Sequence, residues 1–240
     1  SKEILDELMD TFDLHEIIED DITESTTQDK IDVYDDWMFV VLHYPKYKVE
    51  REKYFINEFN VILGKSSIIS LSKYKTNHID MIKDEYESEI DEIEDDEQHK
   101  FSPYYILYKL IDVMYDKVLR STRMFEKDLN NLEDHIFDKQ QMDKDLLEKI
   151  MIKRRNVVAL KHTMLPQVEI LEELQEETLK FFGGELDVYF EDLSYKLDKI
   201  LNKVDILKED IESLYDTYNA IVNMKINSII TVLTIFTAVT

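Results

Sequence analysis

Cysteine is absent from the 240 residues. Disulfides, thiolate metal sites and cysteine nucleophiles are therefore excluded. Glycine and proline are scarce, at three each. So little turn punctuation leaves long regular elements, and long helices need the least of it. Positive charge is the third shortage. Lys and Arg number 29 against 53 Asp and Glu, a formal net charge of -24. A surface of that sign repels nucleic acid, whose phosphates need a basic partner, and it disfavours anionic lipid headgroups. Cations are the natural partners of its field, although an acidic surface often does no more than keep a protein soluble. Enzyme motifs are missing as well. There is no Gly-rich phosphate loop, nucleophile elbow or paired His–Glu motif, and the six histidines are scattered without metal-ligand spacing. The chain reads as no enzyme, and a zinc site built from its side chains has weak support. Ser1 to Asp21 is acidic and helical in pattern, so no secretory signal is expected there.

What is present suits a packed chain: 44% of the residues are hydrophobic, too many for disorder. Residues 1–24 predict a short amphipathic helix, with Ile4, Leu5, Leu8, Met9, Phe12 and Ile17 on its apolar side. Trp37 to Leu42 is a continuous apolar run suited to a strand buried on both faces, with Asp35-Asp36 as a turn before it. Tyr54 to Leu63 alternates, and Gly64-Lys65 turns it into Ser67 to Leu71. Linkers this short rule out helical crossovers, so the sheet is expected to be small and mostly antiparallel. Asp84 to Glu97 packs ten acids into fourteen residues and reads as a solvated helix face and loop.

From Ser102 the period changes. Serine suits a cap and Pro103 the first helical position. Tyr108, Ile111, Tyr115, Val118, Phe125, Leu129, Leu132 and Ile136 then recur three and four apart. A second long helix is expected from about Asp143 to Lys180, kinked by Pro166. Gly183-Gly184 breaks the chain, and a third helix starts near Glu185. In it Leu186, Phe190, Leu193, Leu197, Ile200, Val204, Leu207, Ile211, Leu214, Tyr218 and Ile221 alternate spacings of four and three. That is a heptad seam, which must pack on helices of this chain or of its copies. At ~1.5 Å per residue, residues 185–240 would span roughly 80 Å, an extended stalk. After Lys225 no charge remains, and Ile226 to Thr240 reads as the beginning of a membrane span, for which ~20 residues are needed. The alternative is a buried helix of a soluble protein.

The fold class expected is α+β. An N-terminal domain with a small, mostly antiparallel or mixed sheet occupies residues 1–101. Two long antiparallel helices follow over 102–182, then a stalk helix over 185–225 and the start of a membrane or pore helix over 226–240.

At this point the residues resemble the CorA family of divalent-cation channels. Tyr104 to Asp116 resembles the family's Tyr-Leu-Leu-Tyr…Asp…Asp signature, and Arg154-Arg155 followed by Pro166 its Arg…Pro pattern. Tyr189-Phe190-Glu191-Asp192-Leu193 is similar to its Tyr-x-x-Asp-Val segment. Asp216-Thr217-Tyr218 through Asn227 to Val232-Leu233-Thr234 resembles the stretch where the stalk enters the membrane. Departures are visible. Ile230-Thr231 replaces the usual Met-Lys, Tyr195 stands where a second aspartate often follows, and Thr27-Gln28-Asp29-Lys30 replaces Arg-Pro-Lys. The family's Gly-Met-Asn motif would lie beyond Thr240.

The resemblance implies an α/β/α layering of the N-terminal domain over residues 1–101, and a homopentamer in the cell (inner or plasma) membrane, anchored by its C-terminal segment, with this portion cytoplasmic; the acidic charge leaves no nucleic-acid partner expected. It implies Mg2+ as the ion, with Co2+, Ni2+ or Zn2+ as others. Mg2+ is hard and keeps its waters, so carboxylates, amides and carbonyls suit it. Asp216 and Asn227 lie about three turns apart on one face of the stalk. Alone they read as surface polar residues; the resemblance assigns them to rings along an ion pathway that Ile230, Leu233 and Thr237 continue, with Ile230 and Leu233 as an apolar constriction. The resemblance also places a regulatory metal at Asp192, with a partner carboxylate from the adjacent subunit, for which Glu24 is the candidate. Its loss at low intracellular Mg2+ would open the pore. A zinc transporter on the same fold and a soluble helical scaffold remain the alternatives.

Overall fold

In the computed structural model the described residues are 2–12, 14, 16–24, 26, 28–72, 78–89, 99–139, 144–183 and 187–239. The apolar run at Trp37 extends into β2 (Trp37–Lys48), and the alternating run after it into β3 (Lys53–Gly64). A one-turn 3-10 helix (Val49–Arg51) and Glu52, in the left-handed region at φ 47, join them. β1 (Lys30–Val33) and β4 (Ile68–Ser72) complete a sheet of order β1-β2-β3-β4 in which every pairing is antiparallel. Gly64 stands opposite Trp37, whose ring would lie 2.5 Å from any Cβ placed there. A larger residue would have to push the indole aside.

β2 explains the three-layer arrangement. Side chains alternate across a strand, and here both sets are apolar. Met38, Val40, Leu42 and Tyr44 join the core beneath the long helices, while Phe39 and Val41 join a second core on the other face. That second core is closed by α1 (Lys2–Phe12) and α2 (Glu16–Thr23), which contribute Leu8, Met9, Phe12, Ile18 and Ile22, with Leu14 from between them. The single helix expected over residues 1–24 is thus two, with Leu14 buried at the corner. The side chains of Ile4 and Ile17 lie outside the described set.

The opposite face carries α4 (Pro103–Lys139), α5 (Lys144–Met164), α6 (Gln167–Phe182) and α7 (Asp187–Val239). α3 (His78–Glu89) leans on α4 through Ile82. It holds the first part of the acidic run; residues 90–97 of that run lie outside the described residues, as do Asp143, Gly184, Glu185 and Leu186. Pro103 does open α4, but the Ser102 hydroxyl turns back to the His99 carbonyl and leaves the first turn uncapped by its side chain. The backbone carbonyl of Ser102 takes the Tyr105 and Ile106 N–H groups instead.

The kink expected at Pro166 is a full break between α5 and α6. Proline has no N–H to continue the ladder, and Leu165 and Pro166 form a turn. The break has a use: it presents Gln167, which is buried, to two partners. Its amide donates to the His43 carbonyl at 2.5 Å and accepts from the Tyr115 hydroxyl at 2.9 Å. A second cross-layer tie lies lower down. Asn156 of α5 donates to the Glu52 carbonyl at 2.6 Å and accepts the Tyr54 N–H at 3.2 Å. Lys153, 3% exposed, lies among Glu52, Asp128 and the Tyr47 hydroxyl. The heptad seam of α7 is buried from Phe190 to Tyr218 and packs on α4, α5 and α6 of its own chain.

Candidate ion pathway and subunit junction

α7 runs unbroken for 53 residues, with neither glycine nor proline to interrupt it. Its seam stops at Tyr218, and Ile221 and Val222 are half-buried. Beyond them everything but Lys225 is exposed, including Ile229, Ile230, Val232, Leu233, Ile235, Phe236 and Val239. Among the described residues α7 is the one helix long and apolar enough to cross a membrane, and its apolar stretch is not buried at all. The threonines in this stretch hide their hydroxyls. Thr231 donates to the Asn227 carbonyl at 2.8 Å, Thr234 to Ile230 at 2.8 Å and Thr237 to Leu233 at 3.0 Å. Such back-bonding leaves no unsatisfied hydroxyl for a hydrocarbon surrounding to penalise.

Asp216 and Asn227 are both exposed and, at 100° per residue, fall within ~20° of each other on the face opposite the seam. Ile230 and Thr237 lie to one side of that line, about 60° and 80° from Asn227, whereas Leu233 is about 120° away and turned toward the seam side. Four of the residues singled out from the sequence, Asp216, Asn227, Ile230 and Thr237, therefore share one face, and it is the face their own chain leaves uncovered; Leu233, expected with them, stands apart.

Asp192 stands elsewhere, near the other end of α7. It lines a groove of about 320 Å³ between α4 and α7 together with Asp116, Leu119, Arg120, Arg123, Tyr195, Lys196 and Lys199. The Tyr108 hydroxyl donates to its carboxylate at 3.0 Å. Burial, and then this hydrogen bond to a carboxylate, holds the Tyr108 phenol above its usual range. Lys196 reaches across to Asp112 and lies 3.4 Å from Asp116. Burial works against its charge, but Asp112, Asp116 and Asp192 together raise its pKa. Glu24 is exposed just past α2, its N–H bonded to the Asp20 carbonyl at 2.8 Å. α2 covers the opposite sheet face, so the fold of one chain does not bring Glu24 to Asp192.

All 240 residues match the family model of CorA-like Mg2+ transporter proteins. The chain belongs to that family. Among curated relatives, the cobalt/magnesium transport protein CorA of Thermotoga maritima is 22% identical over 228 residues, which are 95% of this chain and 63% of that protein. The chain thus spans less than two thirds of that relative's length. The complete CorA magnesium transporter of Methanocaldococcus jannaschii superposes with a TM-score of 0.83 at 18% identity, covering 99% of this chain and 72% of that one. The cytoplasmic domain of ZntB from Vibrio parahaemolyticus has the same fold, with a TM-score of 0.68 at 11% identity over 90% of this chain and 82% of its own.

For a CorA-family chain, the surroundings of Asp192 constrain any metal. Among the described residues no three His, Cys, Asp or Glu side chains are grouped to hold an ion. One Asp192 oxygen accepts from Tyr108, and four cations line the same groove. A divalent ion does not fit Asp192 as one chain presents it; carboxylates from a second chain would be needed. Sequence reasoning missed this basic lining. The signal was there in two i, i+3 cation pairs, Arg120/Arg123 and Lys196/Lys199, inside an acidic chain.

Proposed function

We propose that this CorA-family chain is the cytoplasmic and pore-entrance part of a homopentameric divalent-cation channel of the cell membrane, with Mg2+ as the transported ion. The observation that carries the reading is the run of α7 from the bundle into an exposed apolar segment, with Asp216 and Asn227 on its uncovered face. The heptad seam is occupied by the chain's own α4 to α6, so a symmetric bundle of α7 copies would use the opposite face. Repeated five times, Asp216 becomes a carboxylate ring that concentrates cations at the cytoplasmic mouth, as rings of acids do. Asn227 becomes a ring of amides able to hydrogen-bond the water shell that Mg2+ keeps. Ile230 forms an apolar constriction beyond it, and Thr237 continues the path. Regulation by intracellular Mg2+ enters at the junction between Asp192 of one subunit and Glu24 of the next, where a second chain completes a donor set that one chain lacks.

The test is flux in reconstituted vesicles. Asp216→Asn should lower Mg2+ influx roughly tenfold by removing the local cation enrichment, with folding unchanged. Asn227→Ala should lower the preference for Mg2+ over monovalent ions. Full flux and selectivity in both variants would end the pore assignment. Zn2+ carried in place of Mg2+ by the unmodified protein would keep the pathway and change the ion.

A further inference from the structure

The two outer surfaces of the sandwich carry opposite charge. On one, α2 turns Ile18 and Ile22 into its core, and Glu16 and Asp20 on it and Glu24 just past it are exposed. A spacing of four puts these three carboxylates in one ridge. The hydrogen bond from Glu24 N–H to Asp20 O carries the helical geometry through the last of them. On the other surface, the groove between α4 and α7 offers Arg120, Arg123 and Lys199, all exposed, beside the half-buried Lys196. Lys196 is already held by Asp112 and Asp116. Arg120 has one hydrogen bond, from Nε to the Asp116 carbonyl at 3.3 Å. Among the described residues Arg120, Arg123 and Lys199 have no carboxylate within ion-pair distance. In a chain of net charge -24, three uncommitted cations around one groove are out of keeping with the rest of the surface. Their field is felt nearby: burial first, then the charges of Arg120 and Lys46, holds the Lys117 ammonium below its usual range.

Within one chain ridge and groove cannot meet, because the sheet and its two cores separate α2 from the outer side of α4 and α7. We propose that the acidic ridge Glu16–Asp20–Glu24 of one copy seats in the Arg120–Arg123–Lys199 groove of the next. The contact is head-to-tail, using two different surfaces. Contacts of that kind close into rings when the rotation per copy allows it, whereas a two-fold pairing would set like charge against like. The inference rests on the proposed assembly of several copies, and it adds what holds neighbours together: ion pairs that form whether or not Mg2+ occupies the regulatory contact between Asp192 and Glu24. Lys196 supports the groove by neutralising the α4 carboxylates that would otherwise repel the ridge.

Having no cysteine, the chain can carry Asp20→Cys and Arg123→Cys as its sole thiols. With the membrane segment present and the protein in detergent micelles, a short thiol–thiol crosslinker should produce a ladder of covalent multimers from the double variant. Each single variant should give none. No ladder from the double variant, or a covalent dimer from either single one, would overturn the proposal. Asn227→Cys reports separately on the pore axis. Crosslinking there without a ridge–groove ladder leaves the channel standing and removes the ion-pair junction; crosslinking at neither place removes both. Assembly should weaken with added sodium chloride, since exposed charge pairs are screened, and persist in EDTA. Assembly lost in EDTA and indifferent to salt would mean a metal-bridged junction and overturn the inference. Protection of Arg123→Cys from alkylation by inorganic triphosphate, with no ladder, would overturn it too, by giving the groove to a small anion. Arg120→Glu with Arg123→Glu should dissociate the assembly, and adding Asp20→Arg with Glu24→Arg in the same chain should restore it.

Discussion

His43 shows how one side chain can make a fold sensitive to pH. Its Nδ1 lies 2.9 Å from an Asp29 carboxylate oxygen and its Nε2 3.0 Å from the Thr26 carbonyl. Both neighbours are acceptors, so both ring nitrogens are best protonated. Burial alone would lower its pKa, but the Asp29 hydrogen bond and charge, the Thr26 carbonyl and Glu58 together raise it above 6.5. A raised folded pKa contributes stability in full below the unfolded value, and that contribution fades as pH climbs through the folded value. Thermal melts should therefore show the protein losing stability as pH rises from below 6.5 into the alkaline range. Asp29→Asn should flatten that slope, and an unchanged slope would show that this pair does not set it. None of this was legible in the sequence, where a lone histidine fourteen residues from an aspartate gives no sign of contact. The same holds for Asn156 and Gln167, whose partners lie between 52 and 124 residues away. Tertiary distance, not local pattern, makes these residues what they are.

The elements were more readable, and the reason is periodicity. Along α7 each apolar position of the seam repeats the same geometric instruction, so a single misfit would not erase it. Ile200 is fully buried in that seam. Ile200→Ala should cost about 2–5 kcal/mol in chemical denaturation, the usual range for a truncated core side chain. Asp216→Asn on the exposed face should leave the midpoint unmoved. Equal effects at both positions would contradict the division of α7 into a packed and an uncovered face. Shorter elements were harder. β1 is four residues, Lys-Ile-Asp-Val, too brief for alternation to stand out. The corner at Leu14 continues the apolar pattern of α1 into α2, so nothing in the hydropathy marks the turn. Pro166 did mark its place, but whether a proline bends or ends a helix depends on what receives the freed segment. Here Gln167 has His43 and Tyr115 waiting, and the helix ends.

As a whole, the molecule combines a sandwich of sheet and helices with a helix that leaves it. The apolar end of α7 is exposed, and its threonine hydroxyls at 231, 234 and 237 are satisfied within the helix. Ile229, 56% exposed and on the seam side of the helix, should face lipid in the assembled protein. Ile229→Lys should oppose insertion by roughly 2.5–3.5 kcal/mol, read as a shift from the membrane fraction to the soluble fraction. Unaltered partition would count against a bilayer span. The legible part of the candidate site follows the same logic. Asp216 and Asn227 stood out through a motif on one continuous helix, whereas the groove at Asp192 is made by two helices and was invisible until they were packed.

The unbroken course of α7 also has a mechanical meaning. A helix without glycine or proline has no built-in hinge, so it transmits rotation instead of absorbing it. Its last fully packed residue, Tyr218, acts as a fulcrum about 30 Å from Val239 at ~1.5 Å per residue. A tilt of roughly 5° there would swing the tip by about 3 Å, close to the diameter of a water molecule. In the proposed pentamer, five such levers leaning together would widen or close the aperture by more than any side-chain rotation at the constriction. Small rearrangements between sandwiches, far from the bilayer, would then be felt as a change of pore width.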